Sequence, residues 1–127
     1  MRLSVRLAKE TLDGIHELKE ILKKEDLYTG LNLTNGFVVK KAYQETKDSN
    51  WEDVLKAERI PKNNVNEKKL ELKTNLNLSQ EVIDGIDKLK GILPNYLTVS
   101  YVTTSFVIRI IIRAALLKRD SEIEENK

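Results

Sequence analysis

Arg2-Leu3-Ser4-Val5-Arg6-Leu7 alternates polar and apolar residues without a break. Successive side chains of a strand point to opposite faces, so this period gives one wet face and one dry face. Lys73-Thr74-Asn75-Leu76-Asn77-Leu78 carries a diverged copy of the pattern. Two lone strands, each tied to helices, bury their dry faces only by pairing with each other. The expectation is a two-stranded antiparallel ribbon. Leu3, Val5 and Leu7, with Thr74, Leu76 and Leu78, face its core side. Arg2, Ser4 and Arg6, with Lys73, Asn75 and Asn77, face outward.

The strand belongs to a longer repeat. Residues 10–22 and 81–93 are identical at eight of thirteen positions, which marks an internal duplication. The same register lays Arg2–Leu7 on Lys73–Leu78, so the strand is duplicated too. After each strand, apolar residues recur at helical spacing: Leu12, Ile15, Leu18 and Leu22, then Ile83, Ile86, Leu89 and Leu93. Ser79 is a good N-cap for the helix of the second copy, whereas Ala8 is a weaker start in the first. Gly14 and Gly85 each cost roughly 1 kcal/mol inside a helix, which a close backbone contact would offset; recent duplication would equally explain why both copies carry one. Pro94 ends the helix in the second copy, and Leu27–Gly30 does so in the first. A further helix then starts in each copy, at Thr34-Asn35-Gly36 before Phe37 and at Thr103-Thr104-Ser105 before Phe106.

Between the copies, Ser49-Asn50-Trp51-Glu52 has capping-box spacing and opens a short helix to about Glu58. Ile60 to Glu67 is a polar, proline-marked connector. The chain divides into a first repeat at 1–48, a linker at 49–70, a second repeat at 71–120 and a frayed acidic tail at 121–127. Both repeats are expected to form one intertwined domain.

Composition excludes several function classes. A chain of 127 residues holds one compact domain or two interlocked halves. It has no cysteine, which removes disulfides and thiolate metal sites and fits a cytoplasmic location. His16 is its single histidine, too few for a multi-histidine metal site. No phosphate-cradling, nucleophile-elbow or zinc-protease motif occurs, so neither an enzyme nor a cofactor is expected. The most apolar run, Phe106 to Leu117, contains Arg109 and Arg113 and is too short to span a bilayer. Arg2 and Arg6 precede no apolar signal segment, and no membrane partner is expected. Net charge is only +2, so any nucleic-acid role rests on where the charges sit.

A strand, a helix, a loop and a second helix, present twice in one register, resemble the ribbon-helix-helix family of the MetJ/Arc type. The resemblance covers both repeats. It implies a mainly α fold with a two-stranded antiparallel β-ribbon that enters the major groove of double-stranded DNA. That family normally works as a homodimer. The duplication implies a tandem ribbon-helix-helix pseudo-dimer, similar to the TraY-like accessory proteins of the conjugative relaxosome.

The outward residues are the types that read base edges. Arg and Lys suit guanine O6 and N7, Asn suits adenine N6 and N7, and Ser suits either. No acidic residue occurs at 1–9 or 72–80, although the chain holds 20. Any exposed strand face is polar; the recurrence of the polar triplet at both strands is what favours base reading. The resemblance also implies phosphate contacts from Thr34, Asn35 and Gly36, and from Thr103, Thr104 and Ser105. A helix start offers unpaired N–H groups and a partial positive charge to an anion. The same residues would cap a helix in any protein. Lys23, Lys24, Lys40 and Lys41 stand nearby, chiefly as a solvated face.

The two copies have diverged. Arg-Ser-Arg stands against Lys-Asn-Asn on the reading positions. Unlike strands predict an asymmetric DNA site, with guanine weighted under the first strand and adenine under the second. The last helix is also more apolar than its counterpart. Ile110, Ala114, Leu116 and Leu117 align with Lys41, Glu45, Lys47 and Asp48, and only Arg109 and Arg113 mark a wet stripe. A helix apolar nearly all round needs cover on more than one face. The linker helix bearing Trp51 is one cover, and self-association with a second chain is the other. The expected role is an accessory relaxosome protein at a plasmid origin of transfer, with DNA and a relaxase as partners. A transcriptional repressor or copy-control regulator would use the same DNA chemistry, and a non-DNA helical adaptor is the alternative of a different class.

Overall fold

The structure, a computed structural model, describes residues 2–57 and 71–125. Its strands are β1 (Arg2–Ala8) and β2 (Glu71–Asn77). Its helices are α1 (Lys9–Lys23), α2 (Asn35–Thr46), α3 (Trp51–Lys56), α4 (Gln80–Ile92) and α5 (Thr104–Glu125). Short 3-10 turns follow α1 at Asp26–Tyr28 and α4 at Leu93–Tyr96. The fold is therefore mainly α with one two-stranded antiparallel sheet. The connector expected at 60–67 lies outside the described residues.

Alternation decides the ribbon. β1 and β2 pair antiparallel, with Arg2 opposite Asn77, Leu3 opposite Leu76, Ser4 opposite Asn75, Val5 opposite Thr74 and Arg6 opposite Lys73. Leu7, Leu76 and Leu78 are fully buried beneath it, while Leu3 and Val5 pack at the margin of the core. A slip of one residue would turn every one of these side chains to water, so the apolar pattern excludes a register shifted by one.

The helices fill the space behind the ribbon. Ile15, Leu18 and Leu22 of α1 and Val82, Ile86 and Leu89 of α4 are buried, as their spacing predicts. α2 and α5 pack on each other at the centre, through Val38, Val39 and Ala42 and through Val107, Ile108, Ile110, Ile111 and Ala114. α5 also meets α1, α3, α4 and β1. Each central helix reaches the strand of the other repeat: α2 contacts β2's repeat through β2 itself, and α5 contacts β1. Gly30 turns the chain between α1 and α2 with φ of 83°, a conformation that favours glycine. Gly85 lies against a side chain and not the close backbone expected: an added Cβ would lie 2.2 Å from the Tyr43 ring.

Cover for α5 comes from within the chain. Asn50 caps α3 by accepting from the Asp53 N–H at 3.2 Å. Trp51 and Val54 are buried, and α3 lies on α5 and on the turn after α4. From Val107 to Leu116 every residue of α5 except Arg109 and Arg113 is buried. Self-association through this stretch, one of the two covers expected, therefore finds no apolar stripe there.

Three local expectations need correction. Ser79 does stand at the N-cap of α4, but its hydroxyl makes no capping bond and is buried without a partner. Arg109 and Arg113 do not form a wholly wet stripe. Both turn to Glu10 of α1, Arg109 at 2.7 Å and Arg113 at 4.0 Å; the carboxylate lets Arg113 bury most of its side chain, while Arg109 keeps 38% of its own in water. The acidic residues expected to fray continue α5 to Glu125. No glycine or proline stops them, and Glu is a good helix former.

Candidate nucleic-acid interface

The ribbon brings the six expected base readers together. Arg2, Ser4, Arg6, Lys73, Asn75 and Asn77 are all exposed on one face. They sit as three cross-strand pairs: Arg2 with Asn77, Ser4 with Asn75, and Arg6 with Lys73. The acid-free window covers all of the ribbon except its last pair, where β2 starts at Glu71 opposite Ala8. Three cations and three neutral hydrogen-bonding side chains thus project from a surface of two strands.

The two helix starts stand at opposite ends of this face. Gly36, in the first turn of α2, lies on the backbone of Asn77, where an added Cβ would be 2.5 Å from the carbonyl oxygen. Ser105, in the first turn of α5, donates its hydroxyl to the Arg6 carbonyl at 2.6 Å. Gly36 and Ser105 occupy the same place in the repeat, as do Asn77 and Arg6. One contact has therefore two forms, a bare backbone approach and a hydroxyl bridge. Both fix a helix start against the flank of the ribbon.

Capping uses two of the residues expected to touch phosphate. Thr34 accepts from the Phe37 N–H and Thr103 from the Phe106 N–H, each at 3.1 Å. Their hydroxyls are thus bound to the helix. The remaining N–H groups of each first turn have no acceptor within the helix, and they are what an anion would meet. Thr104 is half-buried at the start of α5. Asn35 is half-buried too, and its Oδ1 accepts from Lys19 Nζ at 3.0 Å.

Lys19 is a residue that sequence reasoning passed over. It brings a cation to the positive end of α2, an arrangement unfavourable on its own and favourable beside an anion. The signal was available, since Lys19 and Lys90 are identical at one place in the repeat. Of the lysines noted before, Lys23 and Lys24 are exposed, and Lys23 stands 3.7 Å from Glu20. Lys41 lies over the Tyr28 ring at 5.8 Å, so it serves the fold. Lys40 is half-buried.

No family model, curated protein or solved structure matches this chain. What this face can do follows from its own geometry. Among the described residues, no group of three or more His, Cys, Asp or Glu could hold a metal ion. Among them also, no helix is long and apolar enough to cross a membrane. His16 is exposed on α1, away from any such cluster.

Proposed function

We propose that this protein binds double-stranded DNA sequence-specifically, with the outward face of the ribbon in the major groove. The observation that carries the proposal is the convergence of Arg2, Ser4, Arg6, Lys73, Asn75 and Asn77 on one exposed, registered face. These groups offer donors and acceptors at a spacing that base edges can meet. The starts of α2 and α5 flank the ribbon and would grip phosphates on either side.

On this reading the two repeats act as the two halves of a dimer joined in one chain. The register supports it, since Ser4 pairs with Asn75, its own counterpart in the repeat. So does the exchange of helix starts, α2 to Asn77 and α5 to Arg6. Such a tandem reader suits an accessory role at a plasmid origin of transfer, with a relaxase as its protein partner.

Selection of bound sequences from random duplex DNA tests the proposal. A recovered motif, bound with an affinity that falls steeply as salt rises, is the expected result. Weak, salt-insensitive binding without a motif would overturn it. A motif at a nick region supports the transfer role, and a motif over the protein's own promoter supports repression instead.

A further inference from the structure

An antiparallel ribbon fixes which outward residues stand together. Directly opposed residues lie about 4.5–5.5 Å apart. Outward neighbours on one strand lie about 6.6–6.8 Å apart. Each reader is therefore nearer to its partner across the ribbon than to the next reader on its own strand. The six residues act as three pairs and not as two triplets. Those pairs differ in chemistry. Arg6 and Lys73 put two cations at the end where Ser105 holds α5. Arg2 and Asn77 put one cation and one amide at the end where Gly36 seats α2. Ser4 and Asn75 form a neutral centre.

We infer that the DNA site is polar from one end of the ribbon to the other. Guanines cluster under Arg6 and Lys73, and a guanine–adenine mixture lies under Arg2 and Asn77. The inference rests on the base-reading role proposed above. It replaces the simpler expectation of guanine under one strand and adenine under the other. Arg2 and Arg6 are four residues apart, about 13 Å at 3.3 Å per residue. That distance covers about four base-pair steps at 3.4 Å each. A molecule turned end for end would offer Asn77 to the guanine under Arg6 and Arg6 to the adenine under Asn77, losing one matched contact at each end. The protein therefore sits on its site in one direction, which presents one fixed flank to whatever binds beside it.

Four single substitutions test this: Arg2→Ala, Asn77→Ala, Arg6→Ala and Lys73→Ala. Each full-length variant and the wild type is used to select sequences from random duplexes, with a melting curve to check folding. The wild type should return an asymmetric motif. Arg6→Ala and Lys73→Ala should relax the same end of it, and Arg2→Ala and Asn77→Ala the other. The loss of discrimination should be roughly five- to 150-fold at the affected base pairs. Asn77→Lys should shift the mixed end toward guanine. If Arg2→Ala and Arg6→Ala relax the same base pairs, the readers act strand by strand and the inference fails. A palindromic wild-type motif overturns the polarity but leaves base reading intact. With no motif at all, base reading falls and the polarity with it.

Discussion

Gly36→Ala is expected to destabilise the fold and weaken DNA binding together. A Cβ at this position would lie 2.5 Å from the Asn77 carbonyl oxygen, 3.0 Å from its nitrogen and 3.2 Å from its carbonyl carbon. A comfortable carbon-to-oxygen approach is about 3.3–3.6 Å, so the start of α2 must retreat by about 0.8–1.1 Å. All three obstructing atoms are backbone, and none can rotate aside. Val38 and Val39 follow directly and are fully buried, so the retreat also disturbs the central packing of α2. Overpacking of this kind costs about 1–3 kcal/mol. Alanine's advantage over glycine in a helix returns at most about 1 kcal/mol. The net expectation is a loss of about 0–2 kcal/mol.

Urea unfolding followed by circular dichroism measures it as a lower midpoint at unchanged slope. Ser105→Ala is the companion variant. It removes one hydroxyl bond to the Arg6 carbonyl without a clash and should cost about 0.5–1.5 kcal/mol. A Gly36→Ala protein more stable than the wild type would refute the reasoning, because helix propensity would then act unopposed and α2 could not rest on the ribbon.

Gly85→Ala should cost about 0–2 kcal/mol, because its Cβ would enter the Tyr43 ring while alanine's helix propensity returns up to about 1 kcal/mol, and Tyr43→Leu in the same protein should restore part of the loss in a double-mutant cycle. Trp51→Ala should cost about 3–5 kcal/mol by thermal or urea unfolding, since it uncovers α5; a loss below 1 kcal/mol would mean that α3 is a bystander. Arg119→Ala leaves Glu25 and Glu45 without their shared guanidinium and should cost about 1.5–3 kcal/mol in low salt. Arg119→Lys should recover only part of that loss, because a single ammonium nitrogen lacks the spread pair of nitrogens with which the guanidinium meets the two carboxylates.

The ribbon was legible because its signal is short-range. A period of two, written twice, specifies the faces of Arg2–Ala8 and Glu71–Asn77 and calls for the two strands to lie together, without fixing their register. Helical spacing likewise marked α1 and α4. The fate of Arg109 and Arg113 was not legible, because their partner Glu10 lies 99 residues from Arg109 in the chain and only the packing of α1 on α5 brings them together. The buried hydroxyl of Ser79 escaped for a related reason. Its residue type predicts a cap, but the rotamer is set by the surrounding fold. Gly36 was read as part of an anion site, and the sequence held no sign that its missing side chain makes room for Asn77. Which outward residues stand side by side also needed the register, since alternation gives faces but not neighbours.

Four ion pairs between α5 and the first repeat run one way, and on the proposed function they favour a single chain. Arg109 and Arg113 reach Glu10, and Arg119 reaches Glu25 and Glu45. Lys118 donates to the Glu45 carbonyl at 2.9 Å. The bases sit on α5 and the acceptors on the first repeat. In the repeat alignment Ala114 stands where the first copy has Glu45, and Ile110 where it has Lys41. On the proposed arrangement, a first repeat paired with its own copy would bring a second Lys41 and Glu45 into the places where Ile110 and Ala114 are now buried. Burying a lysine and a glutamate there costs the desolvation of both, which their mutual attraction need not repay. A second repeat paired with its own copy would leave Arg119 without Glu45. Each mismatch disfavours like halves, so the unlike pair is selected by repulsion as well as by fit. That selection keeps Arg6 beside Lys73 and Arg2 beside Asn77. Two exchangeable copies of the first repeat would instead place Arg2 opposite Arg6 at both ends, and the site they read would have no direction.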